Sequence, residues 1–223
     1  MKKILTITAS LLMLLTLAPS LKAQEFSAGL DIYSSYIWRG LKFGTGAAFQ
    51  PSVKFTAGGL TIGGWGSYST GNVEAAEADL YAGYTFSLGE NASLGVTLTD
   101  YYFPGTPYFD GNSHFFEPMV TAGLGKLSLS AAYMIYDAAP GGSGDLYIEA
   151  GYTAGPVVLK IGGGNGQYTV EDENEDDKFG ISNISIGTSK TITITDSFSI
   201  PVNGSVVLNP SSEQLFIVVG ISL

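Results

Sequence analysis

The 223-residue chain carries no cysteine, a net charge of −10 and 13% charged residues, where soluble proteins average about 25%. The missing cysteine excludes disulfides, thiol chemistry, Cys-based metal sites and cysteine lipidation. The acidic balance leaves no basic surface to neutralise nucleic-acid phosphates, and the scarcity of charge means that something other than water faces much of the molecule.

Residues 1–23 read as a secretory signal peptide. Lys2 and Lys3 start it, an apolar run from Ile4 to Leu17 follows, and Leu21-Lys22-Ala23 precedes Gln24 as the cleavage site. The run is shorter than the roughly 20 residues of a membrane-spanning helix, and Thr6, Thr8, Ser10 and Thr16 dilute it. Cleavage removes Lys2, Lys3 and Lys22, which takes the charge from −10 to −13. No Pro/Ser-rich linker divides residues 24–223, so one β domain is predicted.

Beyond the signal, period-two alternation recurs and no helical periodicity is sustained. The first predicted strand includes Phe26 and extends through Tyr36 and Trp38. In the second, Phe49, Pro51, Val53 and Phe55 oppose Gln50, Ser52 and Lys54; in the fourth, Ala78, Leu80, Ala82, Tyr84 and Phe86 oppose Glu77, Asp79, Tyr81, Gly83 and Thr85. Further on, Leu146, Ile148, Ala150 and Tyr152 oppose Asp145, Tyr147, Glu149 and Thr153. The last strand carries an unbroken apolar stripe of Leu215, Ile217, Val219, Ile221 and Leu223. It is similar to the C-terminal assembly signal of outer-membrane barrels, with leucine in place of the usual terminal aromatic.

Short connections at 58–59, 89–91, 123–126, 154–156 and 196–197 alternate with mostly longer ones at 39–47, 70–73, 104–113, 137–143, 167–178 and 209–212. The expected fold is all-β: an up-and-down antiparallel transmembrane β-barrel of about 12 strands, with short periplasmic turns and longer extracellular loops. None of the loops reads as long enough to fold inward as a large plug. Aromatic girdles are expected from Phe26, Phe55, Tyr84, Phe86 and Tyr152 at the turn edge, and from Tyr36, Trp38, Phe49, Tyr68 and Tyr102 at the loop edge. The structural rival is a soluble lipocalin-like barrel with an apolar pocket. The sparse charge on the more polar face argues against it.

With apolar residues outward, Asp31, Lys54, Glu77, Asp79, Glu117, Asp145, Glu149 and Lys160 line the lumen and Arg39 stands at its upper rim. In a water-filled channel these charges set ion preference, with a bias toward cations; in a packed interior they pair with one another. Tyr33, Trp65, Tyr81, Tyr101, Tyr147 and Phe216 share that face and are expected to narrow the bore, while Gly29, Gly63, Gly83, Gly95, Gly151 and Gly220 leave room. The six carboxylates of residues 171–177 form an acidic external loop without EF-hand spacing, read as a solvated segment rather than a calcium site. The glycines of 162–166 precede no helix and are read as a strand bulge rather than a phosphate cradle. His114 is the one histidine; Ser113 beside it points to the opposite face of the strand, so no serine–histidine constellation forms there.

Ser35-Tyr36-Ile37-Trp38-Arg39-Gly40, Gln50-Pro51, Asn209-Pro210 and the ending Val219-Gly220-Ile221-Ser222-Leu223 together resemble the Gcw_chp family, in its Bacteroidetes-type members. The resemblance spans the mature chain and implies a secreted β protein of a Gram-negative bacterium without an assigned activity. The predicted function is a narrow passive channel or binding barrel for small solutes in the outer membrane. The alternatives are a non-conducting structural or surface-interaction barrel, an outer-membrane lipid-modifying enzyme, and the soluble binder. Outer-membrane lipid, lipopolysaccharide and the barrel-assembly machinery are the expected partners; no cofactor, metal or catalytic residue is assigned.

Overall fold

The computed structural model describes residues 24–71, 76–135, 144–169 and 178–223. The signal segment and the acidic stretch 171–177 lie outside the described residues. Strand β1 (Gln24–Tyr33) is followed by two short strands, β2 (Tyr36–Trp38) and β3 (Leu41–Phe43). Then come β4 (Ala48–Ala57), β5 (Leu60–Ser69), β6 (Glu77–Ser87), β7 (Ala92–Tyr102), β8 (His114–Leu124) and β9 (Leu127–Tyr133). The chain ends with β10 (Leu146–Ala154), β11 (Val157–Gly164), β12 (Gly180–Thr195), β13 (Phe198–Asn209) and β14 (Gln214–Ser222).

All strands except β2 and β3 form one closed antiparallel barrel, each pairing with its sequence neighbour. Closure joins β14 to β1 in the register Asp31↔Ser222 and Tyr33↔Gly220, and Leu30 exchanges backbone hydrogen bonds with Leu223 at 3.1 and 3.0 Å. That leaves twelve strands in the wall, as the alternation predicts, and no open edge. The tight turns fall where the sequence places them because they use positive φ: Gly58 and Gly155 both sit at +62°, a conformation a side chain disfavours.

Orientation follows from burial. Glu117 is 1% exposed on the inner face, whereas Ile217 is 73% exposed on the outer one. Leu80, Leu98, Val120, Leu129, Ile148, Ile161 and Ile186 extend that bare apolar band around the wall. A lipocalin-like interior would turn these residues inward, so that alternative does not fit. Outward aromatics at strand ends include Phe26, Tyr84, Phe86 and Tyr152 on the turn side, and Phe49 and Tyr68 on the loop side.

The wall departs from a regular cylinder in two places. Residues 189–195 and 198–201 pair only with each other beyond Thr188↔Val157 and Val202↔Ile221, so β12 and β13 project past the turn-side rim as a ribbon. The glycine-rich stretch does carry an irregularity: the β11–β12 register slips between Gly162↔Asn183 and Gly163↔Ile181, leaving Ser182 as an extra residue.

Candidate functional site

The link from β1 to β4 does not project outward. It folds into the loop-side half of the barrel as a β2–β3 hairpin paired Tyr36↔Phe43 and Trp38↔Leu41. The expectation is that no loop is long enough to fold inward as a large plug, so that only wall residues fill the lumen; a short hairpin enters it instead. Length is not what an inward fold requires: two three-residue strands and a two-residue turn suffice to cross part of the lumen. The tip is Arg39-Gly40, with φ of +53° and +84°, which is the two-residue primed turn that twists with its strands. A non-glycine residue at positive φ is strained, and the tip is correspondingly held from several sides.

The bulge residue Ser182 donates from Oγ to the Arg39 carbonyl at 3.0 Å, and Asn209 Nδ2 donates to the Gly40 carbonyl at 3.1 Å. The Arg39 guanidinium grips the Glu117 carboxylate with two nitrogens at 2.7 and 2.8 Å. It also donates to the Tyr168 hydroxyl at 2.5 Å. The guanidinium carbon lies 4.5 Å from the centres of both the Trp38 and the Tyr147 rings. Tyr101 donates to Glu117 Oε1 at 3.1 Å, and Tyr36 donates to Glu77 Oε1 at 3.3 Å. Burial works against the charge on Arg39, but the Glu117 hydrogen bonds, with the charges around it, hold its pKa above the ordinary arginine value. Burial, then the Glu77 and Asp79 charges, push the Tyr36 phenol well above its usual range, so it remains a donor.

At Gly40 a Cβ atom would fall on the Ser182 carbonyl. Gly40→Ala is therefore expected to push the tip off its anchors and to cost at least about 1–3 kcal/mol of unfolding free energy, the scale of backbone strain alone. Urea unfolding of the reconstituted barrel measures it, with Lys42→Ala, exposed on the same hairpin, as a control expected to leave stability unchanged.

The other lumenal positions divide by depth. Arg39 is not at the rim but in the middle of the cluster, and Tyr36 and Trp38 are not girdle residues but hairpin residues turned into the lumen. Tyr36 packs on Trp65 at 5.3 Å, and Trp38 on Tyr101 at 5.8 Å and Tyr168 at 5.6 Å. Glu149 accepts from Tyr147 and Asn183 at 2.9 Å and pairs with Lys160 at 2.9 Å. Asp145 stands at the loop rim, where it accepts from the Gln167 backbone N–H at 3.2 Å. Asp31 and Lys54 sit lower, in register with Ser222 and Gly63, away from the hairpin.

Several aromatics expected to narrow the bore lie against the wall instead. The Tyr33, Tyr81 and Tyr147 rings occupy the spaces that side chains at Gly220, Gly63 and Gly162 would fill. Glycine on one strand thus makes a bed for tyrosine on the next. Phe216 is half-buried opposite Val207. The hairpin, by contrast, reaches into the lumen.

Tyr168, Ser182 and Asn183 carry no functional signal in the sequence, and Asn209 stands out there only as part of a motif. Two of the resemblance motifs nevertheless touch, since Asn209 of Asn209-Pro210 bonds Gly40 of the Trp38-Arg39-Gly40 run.

Open space lies on both sides of the hairpin. On the loop side is a cavity of about 240 Å³ walled by Trp38, Phe43, Tyr101, Phe103 and Phe115, with Glu77 among its lining. On the other side is one of about 350 Å³ lined by Arg39, Met119, Tyr147, Glu149, Lys160 and Asn183. A further space of about 550 Å³ shares Lys160 and reaches Asn203, Ser205 and Val218. His114 belongs to none of them: its Nδ1 faces Asp100 at 2.8 Å and its Nε2 faces the Tyr108 carbonyl at 2.6 Å, so both ring nitrogens are engaged. Among the described residues no group of three or more metal-ligating side chains converges.

A model described as "Bacterial protein of unknown function (Gcw_chp)" matches residues 18–201. Comparison with curated proteins returns no match. The chain is similar to an improved crystal structure of Pseudomonas aeruginosa OprD, with 12% identity and a TM-score of 0.40, over 92% of this chain and 67% of that one. A second crystal structure of the outer membrane protein OprD from Pseudomonas aeruginosa matches with 12% identity and a TM-score of 0.39, over 92% of this chain and 65% of that one.

Proposed function

Since the chain belongs to the Gcw_chp family of bacterial proteins of unknown function, we propose from its geometry that it is an outer-membrane barrel forming a narrow passage for small polar solutes. The observation that carries this reading is the pair of cavities meeting at Trp38, which lines both. A solute entering from the turn side meets Ser, Asn, Lys160 and Glu149 first, then the Trp38-Arg39 constriction, then the aromatic cavity. The continuous apolar exterior supports the membrane part of the proposal, because a band of that size is not left bare to water. In this reading residues 1–23 direct export and are removed, lipid and lipopolysaccharide cover the outer wall, and the Leu215 to Leu223 stripe of β14 engages the assembly machinery.

Glu117 and Glu149 are each answered by a cation. In this reading cation preference rests on the remaining lumenal carboxylates, Asp31, Glu77, Asp79 and Asp145. Single-channel recording of the purified barrel in planar bilayers tests the proposal, with small steps expected; a well-folded barrel that gives none defeats it and leaves the non-conducting reading. Glu149→Gln strips Lys160 of its partner and is expected to move the reversal potential toward anions. An unchanged potential removes this pair from the path.

A further inference from the structure

We propose that the loop-side cavity binds a small organic cation, an alkylammonium group held among aromatic rings beside the Glu77 carboxylate. Trp38 meets Phe43 and Tyr101 edge to face at 5.9 and 5.8 Å, and Phe103 meets Phe115 the same way at 5.5 Å. The walls are thus pre-packed rings, borne partly by the hairpin and partly by the barrel. Glu77, 4% exposed, belongs to the same lining.

The charge count asks for a guest. Glu77 accepts a hydrogen bond from Tyr36 and lies within hydrogen-bond reach of the Asp79 carboxyl, but has no cationic partner among the described residues. Two positions along the same face of β6, Asp79 is 8% exposed and its Oδ1 is buried without a hydrogen-bond partner among those residues. Two buried carboxyls side by side hold a proton between them or draw in a positive charge, and a cation bound beside Glu77 favours the second state. Of the lumenal cations, Arg39 is spent on Glu117, Lys160 pairs with Glu149 on the far side of the hairpin, and Lys54 sits lower, in register with Gly63.

The walls then say which cation. Calcium asks for about six to eight oxygen ligands, whereas Trp38, Phe43, Tyr101, Phe103 and Phe115 present ring faces and edges. A cation bearing carbon substituents is attracted by the rings and by the carboxylate together. The cavity of about 240 Å³ falls below the roughly 300–1,000 Å³ of drug-sized pockets, which fits a headgroup-sized guest. The site stands on the loop side of the constriction and does not require the lumen to conduct.

Titrating the intact barrel in maltoside micelles with choline, and separately with 3,3-dimethyl-1-butanol, its uncharged carbon isostere, tests the site. Calorimetry gives the affinities, and tryptophan fluorescence in a Trp65→Phe background reports on Trp38. Choline is expected to bind at least tenfold more tightly than the alcohol. Glu77→Gln, which keeps an acceptor for Tyr36, is expected to lose tenfold or more in choline affinity; Phe103→Leu loses severalfold, and Lys160→Ala, across the hairpin, loses nothing. Equal affinity for the two compounds, no choline binding by folded protein, or full affinity in a folded Glu77→Gln variant overturns the proposal. Should Glu77→Gln fail to fold, the isostere comparison and Phe103→Leu decide it.

Discussion

Replacing residues 36–43 with a Gly/Ser segment of equal length is expected to turn a barrel with small conductance steps into one with steps several times larger. The reasoning is geometric. A wall of twelve strands lies between the roughly 8 whose interiors side chains fill and the about 16–18 that enclose an aqueous pore. Its own inner face is too thin to close it: Gly, Ser and Thr dominate below the hairpin, and the Tyr33, Tyr81 and Tyr147 rings lie over glycines. In the proposed passage it is the hairpin that narrows the lumen. Its removal also leaves Glu117 without Arg39, so cation selectivity is expected to rise together with conductance. Planar-bilayer recording at asymmetric salt reads both at once. If the replacement variant folds and shows neither, the two cavities are not joined through the hairpin, and the molecule is a non-conducting barrel.

The same hairpin marks where sequence reasoning stops. Alternation along β6, β10 and β14 is enough to place Glu77, Tyr147 and Leu215 on their faces, because strand side chains have a period of two and a one-residue slip reverses every one. The turn positions are legible because glycine at positive φ has few substitutes. The loop is different. Tyr36, Ile37 and Trp38 continue the apolar-aromatic character of β1, so nothing local distinguishes the end of the wall at Tyr33 from a longer strand capped by a girdle. What ends β1 there is tertiary: Tyr36 finds Trp65 and Glu77, Trp38 finds Tyr101 and Tyr168, and Arg39 finds Glu117. Each partner is distant in sequence. Charge pairing could be anticipated in kind, as lumenal cations seeking carboxylates, but the choice of Glu117 for Arg39 and Glu149 for Lys160 depends on the depth at which the hairpin stops. Ser182 carries no signal at all until the β-bulge opposite Gly162 and Gly163 makes it the spare residue that meets the hairpin tip.

Glu117→Gln is expected to be the most damaging single substitution in the lumen despite its near-identical shape. The Arg39 side chain is 11% exposed and that of Glu117 is 2% exposed, so removing the carboxylate charge leaves a buried guanidinium with one amide oxygen, Tyr168 and ring faces around it and no counter-charge. Breaking one member of a buried pair costs about 3–5 kcal/mol, far more than the about 0–1 kcal/mol of an exposed pair. Arg39→Met alone strands Glu117 in turn, with Tyr101 its remaining donor, and is expected to cost a similar amount. The double variant Arg39→Met/Glu117→Gln removes both charges, and its loss is expected to be smaller than the sum of the single losses by at least about 1 kcal/mol, within the range of coupled neighbours. Urea unfolding in lipid vesicles provides the three values. Additive losses would mean that the two residues act separately, and the hairpin would then be held by its backbone contacts to Ser182 and Asn209 and by its aromatic packing instead of by the ion pair at its tip.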